Sequence, residues 1–242
     1  MTQTLRAAAA AVAATMLCAA GAAAQSIGPQ TSGFASVSIG GQLQTRSFGG
    51  VTTFTDFNAP GTITSAQAVG RGVVWDVTGG RRVTDHIGVA VGVWGARTQG
   101  DAAITAAIPD PIFVGLTNQA STTITDLTQT TLGINLQVVW LTSLSDRAAV
   151  AFFLGPSFVH VSQDVGTLSV PANSQTATAV VSTQSANSLK AGSAGADLSY
   201  WLNDRYGIGV FARYAGGEVD LPSAPKLKVG GVQAGGGLRI RF

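Results

Sequence analysis

Over its last fifteen residues, KVGGVQAGGGLRIRF (228–242), the chain alternates apolar and polar side chains and ends on an aromatic one. Phe242, Ile240, Leu238, Ala234 and Val232 share one parity; Arg241, Arg239 and Gln233 share the other. Successive side chains of a strand point to opposite faces, so this is a strand with one apolar and one polar face. Chain ends usually make few contacts and fray. A terminus patterned as a strand therefore constrains the whole fold, because a strand needs partners.

The pattern recurs upstream. TLGINLQVVWL sets Leu132, Ile134, Leu136, Val138 and Trp140 against Asn135 and Gln137. In YGIGVFARY, Tyr206, Ile208, Val210 and Tyr214 oppose Phe211 and Arg213, and in AGADLSYW Ala194, Ala196, Leu198 and Tyr200 oppose Asp197 and Ser199. Eight such segments are predicted, near 34–48, 66–82, 86–98, 129–142, 148–162, 189–202, 205–217 and 227–242. Short polar connections (VTDH, TSLSDR, NDR) alternate with longer ones rich in Thr, Ser, Ala, Asn and Pro. Short turns at one end, long loops at the other and an even strand count are the layout of an outer-membrane barrel, with both termini on the periplasmic side. A hairpin hidden in a long loop would raise the count to ten or twelve, and ATAVVST (177–183) is the best place for one.

The alternative is a soluble barrel or sandwich with its polar face outward. Charged residues are only 11% of the chain, and the one glutamate is Glu218, which leaves too few charges for a solvated face. Aromatic residues also sit at strand ends, as membrane girdles do: Trp140, Tyr200, Tyr206 and Tyr214, the last two about 20 Å apart along a tilted strand, near the ~25 Å apolar band. The expected fold is all-β: an eight-stranded antiparallel up-and-down transmembrane β-barrel over 34–242. Residues 1–24, with Arg6 before an apolar run and Ala22-Ala23-Ala24 at its end, read as a cleavable signal peptide of the general secretion route, and 25–33 as a short periplasmic lead-in. The single cysteine, Cys18, falls in that leader, so no disulfide is expected. A net charge of +2 with scattered basic residues gives no reason to expect nucleic acid as a partner.

GGLRIRF, with Leu238, Ile240 and the final Phe242, resembles the assembly signal of bacterial outer-membrane barrels. The hairpin GADLSYWLNDRYGIGVFARY is similar to the sixth and seventh strands of the small OmpA-like membrane-domain superfamily. That resemblance implies an outer-membrane location in a Gram-negative-type bacterium, with the barrel-assembly machinery, outer-membrane lipid and lipopolysaccharide as partners. The chain ends at its last strand, so no periplasmic peptidoglycan-binding domain is expected to follow.

Eight strands enclose a lumen about wide enough for side chains to fill. The expected lumenal polar network comprises Arg46, Asp76, Asn135, Gln137, Asp197, Arg213, Arg239 and Arg241, with Ser38, Gln42 and Gln44 on the same faces. Asp197 and Arg213 stand about equally far from the turn at Asn203–Arg205 and are expected to pair. Inward glycines, Gly195 and Gly209 among them, leave room for the arginines. His160 and Ser162 share the lipid face of the fifth strand. Outer-membrane lipid A deacylases carry a similar His-x-Ser pair, but here no Asn follows Ser162 and the nearest acid is Asp164. GIGVFA (207–212) matches a dinucleotide fingerprint in letters only, since it lies within a strand and opens no helix. His86 and His160 have no metal-site spacing, and no cofactor is expected. The long loops, near 49–65, 99–128 and 163–188, carry Ile108, Ile112 and Phe113 as exposed-looking apolar residues. The sequence thus points to a non-enzymatic barrel acting as a structural or surface-interaction protein through extracellular loops whose ligand is unknown. The alternatives are a small arginine-lined porin-like pore and, remotely, a lipid A-modifying enzyme at His160 and Ser162.

Overall fold

A computed structural model of the protein describes residues 33–113, 115–221 and 224–242; the expected signal peptide (1–24) and nearly all of the lead-in fall outside them. Ten strands are described: β1 (Gly33–Gln42), β2 (Arg46–Asp56), β3 (Ala59–Val69), β4 (Gly72–Arg82), β5 (Ile87–Pro109), β6 (Thr117–Ser143), β7 (Ala148–Ser169), β8 (Thr178–Trp201), β9 (Tyr206–Leu221) and β10 (Ala224–Arg241). Eight of them close a ring, β1-β10-β9-β8-β7-β6-β5-β4-β1, every pair antiparallel. Among the described residues no helix is long and apolar enough to cross a membrane. Closed ladders satisfy the backbone in lipid without one.

The ring closes where the sequence ends. β1 pairs with β10 from Phe34↔Arg241 to Gln42↔Gln233. Beyond that ladder, Gly33 N donates to Phe242 O (2.7 Å) and Phe242 N donates to Gly33 O (3.0 Å). Phe242 thus supplies the last rung of the seam, its ring lying against Gly33, where a side chain would collide with it.

β2 and β3 form the hairpin hidden in a loop. It sits at 46–69, in the first long connection, and not at 177–183, which belongs to β8. Phe57 and Asn58 form a two-residue turn, both at positive φ (49° and 56°), the conformation that matches the twist of a hairpin. β2 and β3 continue the staves of β1 and β4 after breaks at 43–45 and 70–71, and β3 pairs with the far half of β5 (Thr62↔Ala107 to Gln67↔Ala102). The expected loops at 99–128 and 163–188 are likewise mostly strand. β5 at 23 residues spans ~75 Å along its axis at ~3.3 Å per residue, or ~55 Å along the barrel for a ~40° tilt. The apolar band of such a barrel is ~25 Å tall. Roughly half of the wall therefore stands beyond the membrane as a β-sheet crown.

The outward faces mark that band. Ile134, Leu136, Val138 and Trp140 on β6, Phe152, Leu154 and Phe158 on β7, and Ile208 and Val210 on β9 are all exposed. Going outward, the same faces turn polar at Thr130 and Thr128, at His160, Ser162 and Asp164, and at Glu218. The girdle residues Trp140, Tyr200, Tyr206 and Tyr214 all point outward, and Trp140 stacks on Phe152 at 5.6 Å. The three short turns share one construction. The Thr84 hydroxyl accepts from Ile87 N, the Ser145 hydroxyl from Ala148 N and the Asn203 side-chain oxygen from Tyr206 N, at 2.8–3.1 Å.

Leu136 lies mid-band and faces outward, so Leu136→Arg places a charge in the apolar core of the bilayer. It is expected to lower the unfolding free energy by about 2–4 kcal/mol, read from urea titration of the refolded barrel in lipid, whereas Ser145→Ala at a turn changes it by less than about 1 kcal/mol.

Candidate functional site: the lumen and the crown

On the inner faces, alternation delivers buried polar groups to a narrow space where each must find a partner. Arg213 on β9 reaches across the lumen to Asp76 on β4 (Nη1 to Oδ2, 2.6 Å), and its Nε donates to Gln233 on β10 (2.8 Å). Its guanidinium lies over the rings of Trp94 (5.5 Å) and Phe211 (5.3 Å). Arg239 on β10 pairs with Asp197 on β8, Nε lying 3.0 and 3.1 Å from the two carboxylate oxygens, while Nη1 donates to Ser38 (2.9 Å). Thr78 donates to Asp76 (3.0 Å) and Ser199 to Asp197 (2.8 Å).

The expected Asp197–Arg213 pair is therefore corrected. Register explains the exchange. Asp197 stands opposite Phe211, and Arg213 opposite Gly195 and Gln233, so a ring intervenes on the diagonal. Arg239 instead crosses β9 over Gly209, where an added Cβ would come within 2.9 Å of its Nε. Arg241 is corrected too. It lies at the short-turn rim, over the ring of Trp201 (4.4 Å), and donates to Asp204 O (2.7 Å). Arg46 lies on β2 with the parity of Phe48, which packs into the lumenal apolar cluster; Arg46 stands above the two ion pairs and outside them.

Asn135 is fully buried and accepts from Trp94 Nε1 (3.0 Å) and Ser157 Oγ (2.6 Å), and Gln137 donates to Ser193 (3.2 Å). Trp94 and Ser157 were missed in the sequence, although Trp94 shares the parity of the inward Gly88 and Gly92. Beyond this layer the lumen holds two apolar clusters together with buried Gln67, Thr98, Gln129, Thr131 and Gln163. Val74, Trp94, Ala96, Val159, Val161, Ala215, Val219, Leu227 and Val229 form one buried cluster. A second, in the crown, holds Ala102, Ile104, Ala106, Ile108, Leu127 and Leu168. Ile108 is thus buried, contrary to its exposed look, because AAITAAI turns every second residue inward. The cavity beside the ion pairs, toward the short-turn end, holds about 100 Å³, room for about three waters at ~30 Å³ each.

His160 and Ser162 do not assemble as base and nucleophile. The His160 ring bonds sideways to Asn187 Oδ1 (2.7 Å), and Ser162 accepts from Ser185 (3.5 Å). Asp164 binds Thr183 Oγ1 (2.7 Å) and Thr128 N (3.2 Å) rather than the histidine. Each group has been taken by the neighbouring strand. Among the described residues no cluster of His, Cys, Asp or Glu could hold a metal ion.

At the summit, Ile112, Phe113 and Leu116 are exposed. Their turn is clamped by Asp110, whose Oδ1 accepts from Ile112 N (2.8 Å) and Phe113 N (3.0 Å). The Phe113 and Ile112 amides, with a smaller contribution from Asn118, hold the Asp110 carboxyl below its ordinary value. Asn118 also donates to Gln175 (2.6 Å), which donates to Pro109 O (2.8 Å), so the two longest hairpins are tied together at the top.

Two outcomes follow from this geometry. In a double-mutant cycle, Asp76→Asn and Arg213→Met couple strongly, while Asp197→Asn and Arg213→Met are nearly additive. Breaking the buried Asp76–Arg213 pair singly costs about 3–5 kcal/mol, read by equilibrium unfolding. A carboxyl lowered in the folded state stabilises its turn above the unfolded value and releases it only as pH falls through the folded one. Cleavage within 110–116 is therefore expected to stay slow from pH 7 down to about 4 in the native barrel and to be fast throughout in Asp110→Ala, as limited proteolysis reports.

No protein-family model matches the sequence, and neither does any curated protein. Among solved structures the chain is similar to Neisserial surface protein A (10% identity, 89% of this chain and 100% of that one, TM-score 0.42). It is also similar to Ail, the attachment invasion locus protein of Yersinia pestis (12%, 86% and 99%, 0.37), and to the outer membrane protease OmpT of Escherichia coli (9%, 90% and 99%, 0.42). On its own geometry, a closed ring of eight strands with an apolar outer band, the chain is a small outer-membrane β-barrel.

Proposed function

We propose that this barrel is a sealed scaffold that carries a surface-interaction sheet outside the cell. One observation carries the reading. The lumen is blocked twice, by crossed ion pairs and then by apolar side chains, whereas the wall continues far beyond the membrane. A conduit needs the opposite arrangement, an open lumen and no more wall than the bilayer requires. Lipid and lipopolysaccharide meet the outward band and its polar upper margin, where Arg97, Lys190 and Lys228 are exposed. The assembly machinery would read Leu238, Ile240 and Phe242. A lipid-modifying activity gains no support from His160 and Ser162, since neither contacts the other.

The test pairs two measurements on one protein. Refolded barrel in planar bilayers is expected to stay silent, and a stable conductance altered by Arg213→Ala would replace this reading with the porin-like one. Because Cys18 is the only native cysteine, Ile112→Cys offers a single thiol in the crown. On intact cells it is expected to react fully with a membrane-impermeant maleimide.

A further inference from the structure

We infer that the summit turn between β5 and β6 is a membrane anchor, which inserts Ile112, Phe113 and Leu116 into a zwitterionic lipid bilayer opposed to the cell surface. This rests on the crown being an interaction surface and names what that surface meets. The three side chains are 77%, 60% and 60% exposed. They cap the longest of the described hairpins, built from strands of 23 and 27 residues. That height puts them ~30 Å above the protein's own apolar band, beyond reach of its own membrane.

The backbone of the tip points to lipid. In hydrocarbon an N–H without a partner is costly, so a loop enters it only when its own chain supplies the acceptors. Here Asp110 Oδ1 accepts from Ile112 N (2.8 Å) and Phe113 N (3.0 Å). Asp110 N donates to Leu116 O (2.9 Å), and Leu116 N donates to Phe113 O (3.2 Å). Pro109 and Pro111 carry no N–H at all. The three apolar residues thus sit on a turn that asks little of water. A polar collar lies directly beneath it. Asp110 Oδ2 accepts from Asn118 (3.3 Å), which also donates to Gln175 (2.6 Å). These groups stay at headgroup level while the tip above them enters the acyl region.

Charge selects the kind of lipid. The outer segments 47–69, 98–128 and 163–189 contain Asp56, Asp101, Asp110, Asp126 and Asp164 and not one lysine or arginine. An anionic leaflet repels such a crown, and a zwitterionic one does not. Other occupants fit less well. A protein partner is held by about one hydrogen bond per 100–200 Å², and this turn has its amides engaged internally. A second copy in the same membrane lifts an identical tip to the same height. Three side chains from each tip fall far short of the ~800 Å² per partner of a stable interface.

The test mixes the refolded full barrel in lipid nanodiscs with phosphatidylcholine vesicles and follows flotation. The nanodiscs are expected to float with the vesicles, and Ile112→Ser/Phe113→Ser to lower the partition coefficient at least about tenfold. Asp110→Ala keeps every apolar side chain but frees two amides, and is expected to weaken binding about tenfold; Asp110→Asn, which keeps an accepting oxygen, restores it. A nitrobenzoxadiazole dye on Leu116→Cys is expected to be quenched by nitroxides on the vesicle acyl chains. Phosphatidylglycerol in the vesicles is expected to weaken binding at low salt. Heat-modifiable migration establishes that each variant is folded. The inference is overturned by no flotation at millimolar lipid, or by flotation unchanged in the double variant or in Asp110→Ala. An unquenched dye or tighter binding to the anionic vesicles overturns it too. Nanodiscs that pair without vesicles, and only with Ile112 and Phe113 intact, overturn it in favour of a second copy. Maleimide labelling of Ile112→Cys on intact cells separates the two claims: full labelling without flotation loses the anchor alone, while an unlabelled thiol loses the surface reading.

Discussion

In hydrocarbon there is no water to complete a backbone hydrogen bond, and this constraint governs the rest of the molecule. Each strand within the band must be paired on both sides, which a sheet achieves only by closing on itself. The closing seam is the β1–β10 ladder, and its last rung is made by Phe242 with Gly33. An aromatic terminus that looked like an address in the sequence is also a structural part. The seam depends on the chain reaching this residue.

Closure at eight strands then decides the interior. So small a ring leaves no bulk water to solvate a charge, and an unpaired buried ion is far more costly than a paired one. Arg213 and Arg239 are consequently neutralised by Asp76 and Asp197 on strands they do not pair with, reaching across the lumen or over a glycine. The aromatic faces of Trp94 and Phe211 complete the shell around Arg213. These groups share the work of filling and neutralising. That is why the polar layer reads as packing and not as a path.

Much of this was legible because strand periodicity is exact: one parity feeds lipid, the other the lumen. The parity of Asp76, Asn135, Asp197, Arg213 and Arg239 could be read directly, as could the four girdle aromatics. Which carboxylate meets which arginine could not, since that depends on register between strands and on the shape of intervening residues such as Phe211 and Gly209. The crown was hidden for a different reason. Outside the membrane no lipid selects for large apolar side chains, so the outward positions of β5–β8 become Thr, Ser, Gln and Ala and resemble loop composition. The inner face still alternated, as Ala102, Ile104, Ala106 and Ile108 show. The β2–β3 turn escaped notice because it uses Phe57-Asn58 at positive φ, with no glycine to announce it.

The same physics explains why a free edge can exist in the crown and nowhere lower. At the level of Ala191 the β8–β9 ladder is intact, as lipid demands. Above it, water can satisfy the groups that β9 no longer reaches, so the requirement for closure lapses and the wall is free to open. Ser188 reaches across the parting strands, its hydroxyl donating to Glu218 O. Beyond Ala191 the described ladder of β8 is with β7, while its partner hairpin turns its Val219 and Val229 into the lumenal cluster. One hairpin thus seals the barrel by leaving the wall, and the gap it leaves presents an edge to the outside. Sealing the lumen and leaving an open edge are two consequences of a single departure from the ring.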